Sequence, residues 1–330
     1  MTLSFLTRIA DRYQVGAVDV LAALVEVDGR LNLTGSARPD SEVYLNGDAR
    51  ARLAALSGVP QERLLRALPA WTQYEPRQRY AGPAGLLHHG VEKVSAQGPA
   101  CPGCMAARTG NTASARVYLA PHQRVCGRHR FWLMSVPGTG GRLVDLRRCP
   151  EVIEAQRRHH RLLSRCADGA QAFAMAAAVT ASWWAQPWPR GDAWSRRLEA
   201  TRADDEDGPR WQVLARDLVT YPDTVTVATM LADPALRARV AADTRGHLPF
   251  SLADTPALVA ALSGGLGRAW LADRLPAVTS GPLFTWAHAC VRAAGSPSPS
   301  SRRALWQIHS AHRLRPLAEE IAALEDPGGG

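Results

Sequence analysis

The sequence predicts a mainly α-helical protein in which a small cysteine- and histidine-bearing module separates two helical regions. Apolar residues recur at helical spacing on both sides of that module, and three cysteines and a histidine, Cys101, Cys104, Cys126 and His129, are spaced as two pairs within it. Past the module, the chain is a succession of tryptophan-bearing helical segments parted by Pro, Gly and Asp. The expected organisation is a helical domain over 1–95 with a helix-turn-helix-like segment and a linker, the module over 96–150, and a helical domain over 151–330. With 330 residues, 46% of them hydrophobic, the chain can bury a substantial core.

In the first region Leu3, Leu6, Ile9 and Ala10 predict one helix. Val18, Leu21, Ala22 and Val25 predict a second, with Gly16 between the two. After a polar connection over 28–47 comes DARARLAALSGVPQERLLRALPAW, where Ala54, Gly58 and Leu64 fall in the pattern Ala-x3-Gly-x5-Leu. A small residue lets a second helix approach, and Gly accepts a positive φ at the corner, so two helices crossing at a tight turn are expected. Val59 and Leu64 would fill the angle between them. The second helix, PQERLLRAL, leads with Gln61, Glu62 and Arg63, and Gln61 and Arg63 are its candidates for contact with DNA. An ordinary helical corner reads the same way.

The stretch 69–99 lacks a sustained period and reads as a linker. Its adjacent His88 and His89 point apart on either a strand or a helix, which argues against a metal pair. A helix is expected from Glu151, EVIEAQRRHHRLLSRC, with Val152, Ala155, Leu162 and Leu163 apolar and Arg157, Arg158 and Arg161 polar. Beyond it, Trp183, Trp184, Trp188, Trp194, Trp211, Trp270, Trp286 and Trp306 sit mostly beside aliphatic residues. Core anchoring accounts for them better than stacking on bases does. An acidic loop at 204–207, a GSPSPSS connection at 295–301 and a final amphipathic helix complete the chain.

The module carries the sharpest signal. Cys101-x2-Cys104, then 21 residues, then Cys126-x2-His129 is the arrangement of a closed tetrahedral zinc site. Each x2 pair forms a turn that brings its two ligands to one face, and Pro102, Gly103 and Gly127 suit such turns. Thiolate and imidazole match the borderline-soft character of Zn2+, and four protein ligands leave no open position for water. One structural ion is therefore expected. Three thiolates and a neutral imidazole on a divalent cation total −1, which Arg108, Arg124, Arg128 and Arg130 would offset. A redox Cys-x-x-Cys is the rival reading, but it calls for a βαβ context and no second pair. His122 is an alternative to His129 at a less usual spacing.

Charge is concentrated around this module. Residues 101–165 hold twelve arginines against Asp145, Glu151 and Glu154, an excess equal to the formal net charge of the whole chain, +9. A local basic patch is the footprint of a surface that meets phosphate, although an arginine-rich composition with Lys93 as the sole lysine produces solvated patches as well. Arg124, Arg128, Arg130, Arg157, Arg158 and Arg161 are the candidate phosphate contacts.

No run of 18 apolar residues is present, so no membrane partner is expected. Arg8, Asp11 and Arg12 stand where a secretory leader needs apolar residues. The expected location is the cytoplasm. Scattered Cys149, Cys166 and Cys290 argue against a disulfide framework. Neither GxxxxGK[ST], GxSxG nor HExxH occurs, and GGLG at 264–267 reads as a turn, so no catalytic residues are expected.

PACPGCMAARTG, VYLAPHQRVCGRHRFWL and RCPEVIEAQRRHHRLL together resemble the TniQ family, particularly its actinobacterial forms. SFLTRIADRYQVGAVDVLAAL and LAALSGVPQERLLRAL look like that family's opening helical region, so the resemblance covers about residues 3–165. It implies an accessory protein of DNA transposition that bridges a targeting factor to the ATPase regulator recruiting the transposase. Some relatives attach to RNA-guided complexes. The implied zinc ligands are Cys101, Cys104, Cys126 and His129, and the implied partners are DNA and transposition proteins, with a homodimer among the assemblies to consider. Many relatives carry a further Cys-x-x-Cys. Here Cys149 is followed by Pro150, Glu151 and Val152, so a second complete site is not expected. A sequence-specific transcriptional regulator with a structural zinc is the alternative function.

Overall fold

The computed structural model describes residues 2–25, 42–45, 47–68, 86–89, 97–110, 116–119, 122–134, 143–188, 191–201, 209–244, 250–295 and 305–306. Within them the chain is mainly helical, with thirteen α-helices and three small two-stranded sheets. It divides into two compact units, 1–121 and 122–330, and the division falls within the 96–150 module. The acidic loop at 204–207, nearly all of the 295–301 connection and the final helix lie outside the described residues.

In the first unit, α1 (Thr2–Tyr13) buries Leu6, Ile9 and Ala10. The next helix, α2 (Ala17–Val25), buries Val20, Leu21 and Leu24; of the predicted stripe Leu21 is buried and Ala22 exposed, and the side chains of Val18 and Val25 lie outside the described ones. Every residue of α2 except Asp19 is apolar, and such a sequence fixes a helix without fixing which side faces in. Strand β1 (Glu42–Leu45) pairs antiparallel with β2 (Leu86–His89), and Leu45 joins the core. The predicted corner is present: α3 (Gly47–Ser57) ends at Gly58, whose φ is +67°, and α4 (Gln61–Ala67) follows. No atom lies within 4 Å of where a Cβ of Gly58 would stand, so backbone conformation and not space selects glycine there. Leu53 and Leu64 are buried at this corner, and Ala54 and Val59 pack against the same core. Burying each such leucine stabilises the fold by about 2 kcal/mol. Strand β3 (Gln97–Pro99), helix α5 (Pro102–Thr109) and strand β4 (Arg116–Tyr118) follow, with β3 and β4 antiparallel.

The second unit begins with a hairpin, β5 (Val125–Cys126) and β6 (Phe131–Trp132), whose inner residues Val125 and Trp132 belong to the helical core. Helix α6 (Pro150–Arg165) buries Val152, Ala155, His159 and Leu162. Next come α7 (Gly169–Ala185), α8 (Gly191–Thr201) and α9 (Pro209–Ala232). The unit is completed by α10 (Pro234–Asp243), α11 (Pro256–Leu266), α12 (Trp270–Arg274) and α13 (Pro282–Gly295). The long α7 and α9 run against each other at the centre, where the Thr180 and Thr224 hydroxyls meet at 2.8 Å. Gly169 opens α7 where a Cβ would stand 2.9 Å from the Leu162 carbonyl oxygen, so glycine permits the close approach of α6 and α7. Trp183, Trp194 and Trp286 are buried, and Trp184, Trp188, Trp270 and Trp306 pack against the same core, as core anchoring requires.

Candidate metal centre

Cys101, Cys104, Cys126 and His129 come together. Their ligand atoms all lie within 4.8 Å of one another, close enough to hold a metal ion. Ideal tetrahedral zinc coordination sets ligand atoms roughly 3.4–3.8 Å apart, so closing the set takes about an ångström of side-chain movement. The donor set, three thiols and an imidazole, is compatible with one zinc ion. Cys101 and Cys126 are buried, while Cys104 and His129 are half-buried. Among the described residues, no other group of three or more His, Cys, Asp and Glu side chains is placed to share an ion.

The first pair is set by a helix start. Cys101 is the N-cap of α5 with extended backbone, Pro102 opens the first turn, and Cys104 lies three residues on, along the same face. Neither Pro102 nor Gly103 forms a separate knuckle, and Gly103 has no positive φ; the helical turn itself supplies the spacing. The second pair sits on the hairpin turn. The His129 N–H donates to Cys126 Sγ at 3.5 Å, and His129 Nδ1 stands 3.6 Å from the same sulfur. Here too the predicted glycine is not the strained residue: Arg130, with φ +58°, closes the turn. Its N–H donates to the Cys126 carbonyl and its own carbonyl accepts from the Leu146 N–H, both at 2.7 Å, which holds the left-handed conformation in place.

His122 takes no part in the cluster. Its Nε2 meets Nδ1 of His160 on α6 at 3.1 Å, and His129 is the imidazole of the cluster. Cys149 stays out as well. It is buried at the N-cap of α6, and burial pushes its thiol up to about 11, with Glu151 adding to the effect, so it is not a thiolate at neutral pH. His88 and His89 occupy consecutive positions of β2.

The predicted phosphate contacts divide. Arg128, Arg130, Arg157 and Arg161 are exposed. Arg157 and Arg161 both reach Glu154, at 2.9 and 3.4 Å, in solvent-facing ion pairs that phosphate can replace at little cost. Arg124 is turned inward instead: its guanidinium lies 4.9 Å from the Phe173 ring centre and 5.9 Å from that of Tyr221. Arg158 is half-buried and donates to the Thr226 hydroxyl of α9 at 3.0 Å. These two arginines are occupied with packing and withdraw from the contact set. The structure adds Arg147, Arg148 and Arg165 to the exposed cations of this segment. On α4, Gln61, Glu62 and Arg63 are exposed while Leu64 is buried.

Sequence reasoning missed a buried ionic network in the second unit. Asp223 on α9 accepts from Arg197 at 2.7 Å and from the Trp194 indole at 2.8 Å through one oxygen, and its other oxygen stands 3.1 Å from Arg268. Arg197 also reaches Glu151 at 3.2 Å, and the Arg268 guanidinium sits 4.2 Å from the Trp194 ring centre. Nothing local in the sequence distinguishes these charges from solvated ones, because their burial depends on residues far apart in the chain.

No family model, no curated protein and no solved structure matches this chain. Among the described residues, no helix is long and apolar enough to cross a membrane.

Proposed function

We propose that this chain is a non-enzymatic, DNA-associated adaptor built around one structural zinc ion, of the kind the TniQ resemblance implies. The supporting observation is the convergence of Cys101, Cys104, Cys126 and His129 within 4.8 Å, in a segment that exposes Arg128, Arg130, Arg157 and Arg161. These four ligands would hold zinc in a closed, ribbon-like module whose role is to fix the fold of the arginine-bearing surface. The arginines then contact phosphate without reading sequence, as bridging a targeting factor to a transposition ATPase requires. An RNA-guided complex is one form such a targeting factor takes.

The test is binding of the zinc-loaded chain to random duplex DNA across a salt series. Affinity should fall linearly on log–log axes, and replacing Arg128, Arg130 and Arg157 by Gln should flatten the slope by about 3. Glu154→Gln, which frees two of the cations, should strengthen binding a few-fold. An unchanged slope removes these arginines from the interface, and absence of duplex binding leaves a protein-bridging adaptor.

A second reading, a sequence-specific regulator, is favoured by the helix-turn-helix-like pair α3–α4, which exposes Gln61 and Arg63 beside the buried Leu64. Under it, one sequence would be selected over random duplex by 10³-fold or more, and Arg63→Ala would abolish that selection.

A further inference from the structure

The segment that leads into the second ligand pair is held by one carboxamide. Gln156 lies on α6, and its Oε1 accepts from the backbone N–H of Arg124 at 2.8 Å and of Val125 at 3.1 Å. Its Nε2 donates to the backbone carbonyl of His122. A single side chain therefore satisfies three backbone groups of residues 122–125, as a neighbouring strand would, immediately before Cys126. Around this clamp the fold is closed by aromatic packing. The Tyr221 hydroxyl stands 3.4 Å from the same Oε1 and 3.0 Å from His159 Nδ1, and the Arg124 guanidinium covers Phe173 and Tyr221. One turn further along α6, His160 meets the His122 ring.

The hairpin that carries Cys126 and His129 is held at several points. Beyond β5 and β6, each two residues long, these include the bonds from Arg130, the Trp132 N–H donating to the Val144 carbonyl at 2.9 Å, the bridge between Phe131 and Asp145, and the Leu133 N–H donating to the Arg124 carbonyl at 2.7 Å. Arg124 is thus bonded on one side to Gln156 and on the other to the strand that returns from the turn. A shift of residues 122–125 moves both ends of the hairpin that carries Cys126 and His129.

We infer that Gln156 is the positioning residue of the metal centre: by clamping residues 122–125 onto α6 it sets the Cys126–His129 turn in the geometry that metal binding needs. Gln156 touches no ligand atom; it acts through the backbone. The inference rests on the zinc reading of the four-residue cluster. Groups that hydrogen-bond a ligand side chain directly alter metal affinity about 10- to 100-fold when removed, and a clamp acting through the backbone is expected at the lower end of that range.

The experiment compares the full-length chain with Gln156→Ala, Gln156→Glu and, as a control, Leu162→Ala, which opens the buried face of the same helix away from the clamp. Zinc affinity is measured by competition with a chromophoric chelator, and ligand geometry by the absorption of the cobalt-substituted protein. Gln156→Ala is expected to weaken zinc binding at least tenfold and to alter the cobalt ligand-field bands. Leu162→Ala should lower the melting temperature and leave both readouts as in wild type. Gln156→Glu keeps the two acceptor bonds, loses the donor to His122, and should fall between wild type and Ala. Wild-type zinc affinity and cobalt spectrum in Gln156→Ala would overturn the inference, as would an equal loss in Leu162→Ala, which would mark a general effect of destabilising α6. Failure of the wild-type chain to bind zinc would overturn the zinc reading as well, and shows before any variant is compared.

Discussion

His159 lies on the inner face of α6, stacked 3.9 Å from the ring centre of Phe173 and bonded to Tyr221. Burial, with the nearby Arg124 and His122 adding to it, pushes its imidazole down to about 3 from an ordinary 6.5. Burial also pushes the Tyr221 hydroxyl up, so the pair meets as neutral imidazole and intact phenol. The unfolded chain binds this proton more readily than the folded one. The stability that His159 contributes is therefore complete above pH 6.5 and is lost as pH falls towards 3, at up to about 1.4 kcal/mol per pH unit. Urea unfolding in the presence of a chelator, at pH 7.5 and 5.5, should show His159→Gln losing less stability on acidification than wild type, even if it starts lower. An equal loss in both would mean that His159 is not protonated on unfolding in this range. At the residue scale, the Cys101, Cys104, Cys126 and His129 cluster was legible because pairs of this kind are written in local spacing. Arg124 was not: its direction is decided by Phe173 and Tyr221, which no local pattern ties to it.

At the scale of elements, periodicity located the helices well and oriented them unevenly. The corner between α3 and α4 was readable because Gly58 must adopt a positive φ and Leu64 must fill the angle. In α2 the uniform apolarity left the phase open, and Ala22 turned out to face solvent. The first ligand pair showed a different limit, since a Cys-x-x-Cys reads equally as an isolated knuckle or as the opening turn of α5. The charges that join α8, α9 and the residues before α12 were invisible in the same way. Asp223 partners two buried arginines, so Asp223→Ala leaves Arg197 with Glu151 alone and takes the carboxylate from Arg268, and breaking a buried pair on one side costs about 3–5 kcal/mol. Equilibrium unfolding should show that loss. A change below about 1 kcal/mol would mean that water reaches the network and the charges are effectively solvated.

For the molecule as a whole, composition and periodicity were sufficient to foresee a mainly helical chain with a cysteine-bearing module, because both are averages over many residues. The two compact units, 1–121 and 122–330, reflect which residues pack together, a property that composition does not record. The functional reading depends most on the four converging ligands, since the exposed arginines are meaningful only if the segment that bears them has a fixed fold. Metal analysis of the purified full-length chain tests this most directly. One zinc per chain is expected, retained through dialysis and lost when Cys126 is replaced by Ser. A chain that carries no zinc, or one whose zinc content is indifferent to Cys126→Ser, rules out a structural zinc at this cluster.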